Sequence, residues 1–259
     1  MMLDYGLVSI ITPAYNSNRF ISSMIQSVLN QSYTNWELII TDDCSTDDTP
    51  NIIKSFSEKD GRIQYHCLEK NSGAGVARNN SIKLAKGRFI AFLDADDMWM
   101  PNKLEMQLKY MMKHDCALSY GSYMIVDEEN VVKGIDIAPF KQTFSQSKKD
   151  NKIGCLTVVY DTKKVGKVFM PTIRKRQDWG LLLSILKKCD IAYGIKTPIA
   201  YYRKGQMSLS KNKWSLVKYN IALYQAVLHW SKFYATIYFL FVFMPHYLFK
   251  NWLKRQYNK

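Results

Sequence analysis

Cysteine is scarce and dispersed. Cys44, Cys67, Cys116, Cys155 and Cys189 stand far apart in 259 residues, with no CxxC pair and no cysteine–histidine pair at zinc spacing. A zinc ribbon is excluded, and the expectation is a set of reduced thiols in a cytosolic protein. Acidic residues are outnumbered: 22 Asp and Glu against 36 Lys and Arg give a formal charge of +14. Such a balance calls for a polyanionic partner, whether nucleic acid, a phosphorylated substrate or anionic lipid. Nucleic acid is set aside, because no helix-turn-helix or RNA-binding signature is present and aromatics do not interleave with lysines as a strand-binding groove requires. The opening "MMLDYGLVSIITP" moves straight into a strand-like run without a signal-peptide pattern, so secretion is not expected. No repeat or low-complexity tract is evident, and the most apolar C-terminal run, "FYATIYFLFVFMP" (233–245), falls short of the roughly 20 residues of a bilayer span and is expected to be broken by Pro245 and His246.

What is present is an alternation of short apolar runs with helical patterns, the mark of an α/β sheet covered by helices. "LVSII" (7–11) precedes Phe20, Ile21, Met24, Ile25, Val28 and Leu29 at helical spacing; "WELII" (36–40) precedes a helix with Ile52, Ile53 and Phe56 inside, whose start reads as a capping box from Ser45 to Asp48. "RIQYH" (62–66), a glycine-bearing loop "KNSGAG" and a helix to about Lys86 lead to "RFIAFL" (88–93), apolar enough for a central parallel strand. A helix from Pro101 carries Leu104, Leu108, Met111 and Met112 on one face. Beyond residue 115 the pattern turns to a strand pair about "DEEN", a polar loop over 138–152, a strand over 153–161 and a helix over about 178–189, so the sheet is expected to become mixed.

"AFLDADDMW" (91–99) places Asp94, Asp96 and Asp97 at the carboxyl end of that central strand, where open α/β sheets bind ligands. Three adjacent carboxylates repel one another and lose hydration, so a positive charge is required there. Capping of the next helix accounts for one aspartate, not three. The D-x-D-D pattern suits Mn²⁺ or Mg²⁺, which take oxygen ligands and leave positions for substrate phosphates. A second acidic pair, Asp42 and Asp43, ends "WELIITDD" on the same rim. Asp43 offers an acceptor for a nucleobase N–H, and Tyr15 offers either a stacking ring or a packing aromatic. "KNSGAGVARNNSI" adds glycines for close approach and Arg78 for phosphate.

In order, "VSIITPAYN", "IITDDCSTDDT", "NSGAGVARNNSI", "FIAFLDADD" and "RQDWGLLLSIL" resemble the family 2 glycosyltransferases of the GT-A fold, over roughly residues 6–205. The resemblance implies an α/β, Rossmann-like single domain with a mixed, mostly parallel central sheet and a C-terminal amphipathic, apolar helical extension. Residues 1–212 would form the catalytic domain, with a nucleotide-binding half to about residue 100 and an acceptor-binding half after it, and 213–259 the extension. By the same similarity Pro13, Tyr15 and Asp43 would hold uridine, Arg78 would contact the nucleotide, Asp94-Ala95-Asp96 would bind the metal and diphosphate, and Asp178 in "RQDW" would be the base. Gln177 stands where many relatives carry Glu, which leaves the base itself in place. The Q-x-x-R-W signature of processive synthases is absent, so one sugar per encounter is expected, and the resemblance implies transfer with inversion from a UDP-sugar to a lipid-linked glycan in assembly of bacterial surface polysaccharide such as lipopolysaccharide or capsule.

Three further readings complete the expectations. Trp179 either stacks on an acceptor sugar or belongs to the core. Arg176 and Arg203, with Lys204, Lys211 and Lys213, either close over a diphosphate or form a solvated basic face. The tail "HYLFKNWLKRQYNK" mixes aromatics with lysines as interfacial segments do, favouring peripheral attachment to the inner face of the cell membrane over a helix folded back on the core. The competing functions are a phosphatase with an aspartyl nucleophile, which offers no role for Tyr15 or Asp43, and a non-enzymatic protein that binds anionic lipid.

Overall fold

The computed structural model describes residues 4–204 and 215–257; the loop lysines Lys211 and Lys213 lie outside the described residues. The order of elements is β1 (Val8–Ala14), α1 (Ile21–Leu29), β2 (Trp36–Asp42), α2 (Thr49–Ser57), β3 (Ile63–Cys67), α3 (Ala74–Leu84), β4 (Phe89–Phe92), β5 (Met98–Trp99), α4 (Lys103–Lys113), β6 (Leu118–Val126), β7 (Val132–Asp136), β8 (Lys141–Thr143), α5 (Phe144–Ser147), β9 (Val159–Asp161), α6 (Thr162–Val165), α7 (Gln177–Cys189), β10 (Ile191–Arg203), α8 (Ser215–Leu228), α9 (Lys232–Tyr238) and α10 (Met244–Tyr257).

The strands form one sheet in the order β3-β2-β1-β4-β9-β6-β10-β5, with β7 on β6 and β8 on β10. β3, β2, β1 and β4 are parallel; β9 enters antiparallel between β4 and β6, and β6 and β10 are parallel again. The expected mixed, mostly parallel sheet is therefore present. Every residue of β1, β2 and β4 is buried, which explains their unbroken apolarity: with helices on both faces, alternate residues enter different layers. Val8, Ile10, Leu38 and Ile40 join α1 and α4 in one core; Ile11, Ile39, Ile90 and Phe92 join α3 and α7 in the other. Each fully buried Ile or Leu contributes about 1.5–3 kcal/mol through removal from water.

Four local expectations are corrected. Ser45 does not cap α2; its hydroxyl donates to Asp42, and α2 begins at Thr49 after Asp48. The region 138–152 is not all loop, since β8 runs into α5 through a capping box of Thr143 and Gln146. The strand expected from 153 begins only at Val159, preceded by a tight helical turn at Cys155–Thr157. Pro245 does not break the last helix: a widened π turn at Phe239–Phe243 immediately precedes it, and such a turn accommodates the bond a proline cannot make.

The C-terminal helices fold back on the sheet domain. Trp179 and Leu183 of α7 pack with Leu223, Tyr224 and Val227 of α8 and with Ala235, Phe239 and Phe243. The reading that favoured a membrane contact over folding back is corrected to this extent: one face of the segment is core. Its other face is not, for Phe233, Leu240, Phe241, Leu248, Phe249 and Trp252 are all exposed, Phe241 at 74%. Among the described residues no helix is long and apolar enough to cross a membrane.

Candidate active site

The carboxyl ends of the parallel strands β1, β2 and β4 share one rim. Pro13 lies past Ile11, the last residue of β1 paired with β4, so its missing N–H interrupts no ladder there. Tyr15 follows at the tip, 50% exposed, with its ring available to a ligand. The backbone then turns sharply, with Asn16 and Cys44 both left-handed (φ 46° and 62°), and the two loops interlock: the Asn16 N–H donates to the Ser45 hydroxyl at 2.9 Å and the Thr46 N–H to Asn16 Oδ1 at 2.8 Å. Asp42 is buried and accepts from Ser45 and Tyr65, which makes it an anchor of that turn. Asp43, 3% exposed, accepts the N–H groups of Ser72 (2.6 Å) and Gly73 (2.7 Å). The aspartate thereby fixes the glycine loop, where Gly73 at φ 91° adopts a backbone that a side chain would strain.

The acidic turn follows β4. Asp94 is paired with Arg78 of α3, which is the positive charge that the sequence demanded. The guanidinium expected to contact a nucleotide is engaged here by the protein's own carboxylate. Ala95 is buried in the turn, and Asp96 stands at its outer edge. Loss of hydration against the turn, and then the charge of Asp94, raise the Asp96 carboxyl above the ordinary range. Asp97 differs in kind: it is buried, accepts the Arg203 N–H at 2.8 Å, and is pushed well up by burial and by its two acidic neighbours.

Arg203 is corrected from a substrate contact to a structural one. At 4% exposure, its guanidinium donates to the carbonyls of Asp96 (2.9 Å), Asp127 (2.9 Å) and Glu128 (3.2 Å) and to Asn130 Oδ1 (2.8 Å). It ties the acidic turn to the β6–β7 hairpin. Asp94, half-buried, and Asp96, exposed, remain the accessible carboxylates of the turn. Among the described residues no group of three His, Cys, Asp or Glu could hold a cation. Two carboxylates at i and i+2 of one turn nonetheless fit Mn²⁺ or Mg²⁺ when substrate phosphates and water complete the shell.

Helix α7 brings Asp178 to the cleft that Asp94 also lines. Asn79 of α3 clamps the preceding segment through Met170, donating to its carbonyl at 2.9 Å and accepting its N–H at 2.7 Å. Gly75 of α3 leaves room for the Gln177 amide, which occupies the space a Cβ there would take. Gln177 is therefore a packing partner of the glycine loop, a role a neutral amide fills without adding charge beside Asp178. Asp178 sits in the first turn of α7, where the helix dipole favours a carboxylate. Asp94, Asp97 and Asp178 line one cleft of about 600 Å³. Arg176, in a left-handed backbone (φ 68°), also lines it. Trp179 touches the cleft edge but is 3% exposed, donates from its indole to the Ser147 carbonyl at 2.7 Å, and packs on Tyr224 and Phe243; it is a core residue, not a stacking platform.

Sequence reasoning missed two walls of the cleft. Tyr123 and Tyr202, edge to face at 5.8 Å, come from neighbouring strands β6 and β10. Phe243, His246, Tyr247 and Lys250 of the C-terminal segment form the far side. The i, i+3, i+4, i+7 spacing of the last four was a legible signal of one helix face, but nothing local indicated what it faced.

A strand-end D-x-D and a carboxylate on a neighbouring helix, opening into one cleft on this sheet order, are the arrangement of a GT-A glycosyltransferase. Residues 9–164 match the model of "Glycosyl transferase family 2", and the chain belongs to that family. It is 44% identical over 229 residues, 87% of this chain and 91% of the other, to the putative teichuronic acid biosynthesis glycosyltransferase TuaG of Bacillus subtilis. It is 45% identical, over 83% of this chain and 84% of the other, to the UDP-Glc:alpha-D-GlcNAc-diphosphoundecaprenol beta-1,3-glucosyltransferase WfgD of Escherichia coli. Among solved structures, S. aureus TarS in complex with UDP-GlcNAc shares the fold at a TM-score of 0.69 and 18% identity, over 90% of this chain and 73% of that one. Membership sets aside both the phosphatase and the non-enzymatic readings.

Proposed function

We propose that this protein transfers one sugar from a UDP-sugar, with inversion, to a hydroxyl of a lipid-linked glycan in bacterial surface-polysaccharide assembly. The observation that carries the reading is that Asp178 and Asp94, 84 positions apart by subtraction of their numbers, open into one cleft sized for a sugar. Pro13, Tyr15 and Asp43 hold the uridine, Tyr15 by stacking and Asp43 through lone pairs left beside its two amide bonds. Arg78 attends the diphosphate. Asp94 and Asp96 hold Mn²⁺ or Mg²⁺, which when bound neutralises charge on the departing nucleotide diphosphate. Asp178 accepts the proton of the acceptor hydroxyl as that oxygen bonds to the anomeric carbon and the carbon–oxygen bond to UDP breaks. Attack from the cleft side opposite the diphosphate inverts the anomeric centre.

The acceptor class is supported by the relative whose name specifies a GlcNAc-diphosphoundecaprenol acceptor. Attachment to the inner face of the membrane is supported by the exposed apolar face of the last helices, whose opposite face walls the cleft. On this reading residues 213–259 are a membrane-seating extension of a catalytic domain that ends near 212. The test is incubation with UDP-glucose or UDP-GlcNAc, Mn²⁺ and a short-chain lipid-diphosphate sugar. A product one hexose heavier, with inverted anomeric configuration by NMR, is expected; a retained configuration contradicts the mechanism.

A further inference from the structure

The active cleft is uneven in charge. Its inner end holds Asp94, Asp97 and Asp178, while its outer end holds Lys149 and Lys250 with His246. Lys149 and His246 continue into an adjoining depression that also carries Lys141 and Lys152 and contains neither Asp94 nor Asp178. Asp150 is the acidic residue there, and it is occupied by Lys250 at 2.5–2.7 Å. Lys149 and Lys152 are exposed and make no ion pair among the described residues. Arg176, which lines the same cleft, has a buried Nε without a hydrogen-bond partner, held by a backbone conformation that costs energy in a non-glycine residue.

Cations at this end lie on the acceptor side, beyond the base, and have no part in holding the donor's diphosphate at Asp94 and Asp96. We propose that the outer end is a subsite for phosphate borne on the acceptor sugar's anomeric oxygen, held by Lys149, Lys152 and Arg176. The sugar ring then rests against Tyr123 and Tyr202, with its reacting hydroxyl toward Asp178 and its phosphorylated carbon toward the lysines. This orientation admits a sugar only one way round, so the phosphate selects which hydroxyl meets the base. The inference rests on the sugar-transfer reading and deepens it.

The test is calorimetric binding to the full chain of two probes: N-acetylglucosamine 1-diphosphate esterified to a short alkyl chain, and the matching alkyl glycoside without phosphates. Wild type is expected to prefer the diphosphate by about tenfold or more, the yield of one or two charge-assisted contacts, and the preference should shrink with added salt. The double variant Lys149→Gln/Lys152→Gln, at exposed positions that leave the core intact, should reduce the preference to below about threefold while affinity for the glycoside holds. Arg176→Gln should act in the same direction. Equal affinity for the two probes, no binding of the diphosphate, or a preference that survives in the double variant overturns the subsite. Failure of the transfer reading registers separately, as absent turnover of any nucleotide sugar with either acceptor.

Discussion

At the scale of single residues, the cleft separates groups that act from groups that hold. Asp178 has an open face on the cleft and the start of a helix behind it; Asp97 has neither solvent nor freedom. Asp178→Asn is expected to lower kcat by a factor on the order of 10² or more with UDP affinity unchanged, measured by product formation beside a UDP titration. Near wild-type turnover removes Asp178 from its role. Arg203→Met should act on the fold instead. It strips donors from three carbonyls and an amide oxygen in a buried site, so a loss of about 2–4 kcal/mol is expected, read as a lowered denaturation midpoint. The acidic turn after β4 was legible because an apolar strand that ends in Asp94, Asp96 and Asp97 has few structural uses. Arg203 was misassigned because the carbonyls that enclose the guanidinium belong to a hairpin some 75 residues earlier in the chain. No local pattern reports such an enclosure.

At the scale of elements, α7 is the part on which geometry depends. Gly180 lets the helix approach Pro171, and a Cβ there would enter the proline ring and crowd Leu223. Gly180→Ala should therefore cost about 1–3 kcal/mol and also lower turnover, since the helix that would shift carries Asp178; thermal denaturation and steady-state kinetics check the two effects. The strands were legible from their apolar runs, and the long helices from their periodicity. The region 138–161 was legible only in part: its short strands β8 and β9 owe their conformation to partners in β10, β6 and β4 and not to pattern, whereas the Thr143–Gln146 capping box that opens α5 was a local signal the reading passed over. Ser45 and Asp48 matched a capping box by spacing, yet Asp42 offers the Ser45 hydroxyl a stronger, charged acceptor.

At the scale of the whole molecule, the C-terminal helices serve two surfaces at once. Phe243, His246, Tyr247 and Lys250 face the cleft, while Phe241, Leu248, Phe249 and Trp252 face outward. The aromatic and basic composition announced the second face, and only the fold revealed the first. Removing 232–259 would uncover Trp179 and the cleft wall together, so point changes are the better probe. Phe241→Ser/Phe249→Ser should weaken partitioning to vesicles containing anionic lipid by about tenfold or more at unchanged UDP binding, measured by co-sedimentation; unchanged partitioning contradicts a membrane seat on this face.

The account rests on the strand-end aspartates as the place where a divalent cation and a nucleotide diphosphate meet. Titration of UDP into the protein with Mn²⁺ or Mg²⁺, in EDTA, and in the Asp96→Asn variant tests this most directly. Binding should tighten at least about tenfold with metal, and that gain should vanish in EDTA and in the variant. Identical UDP affinity under all three conditions would contradict it.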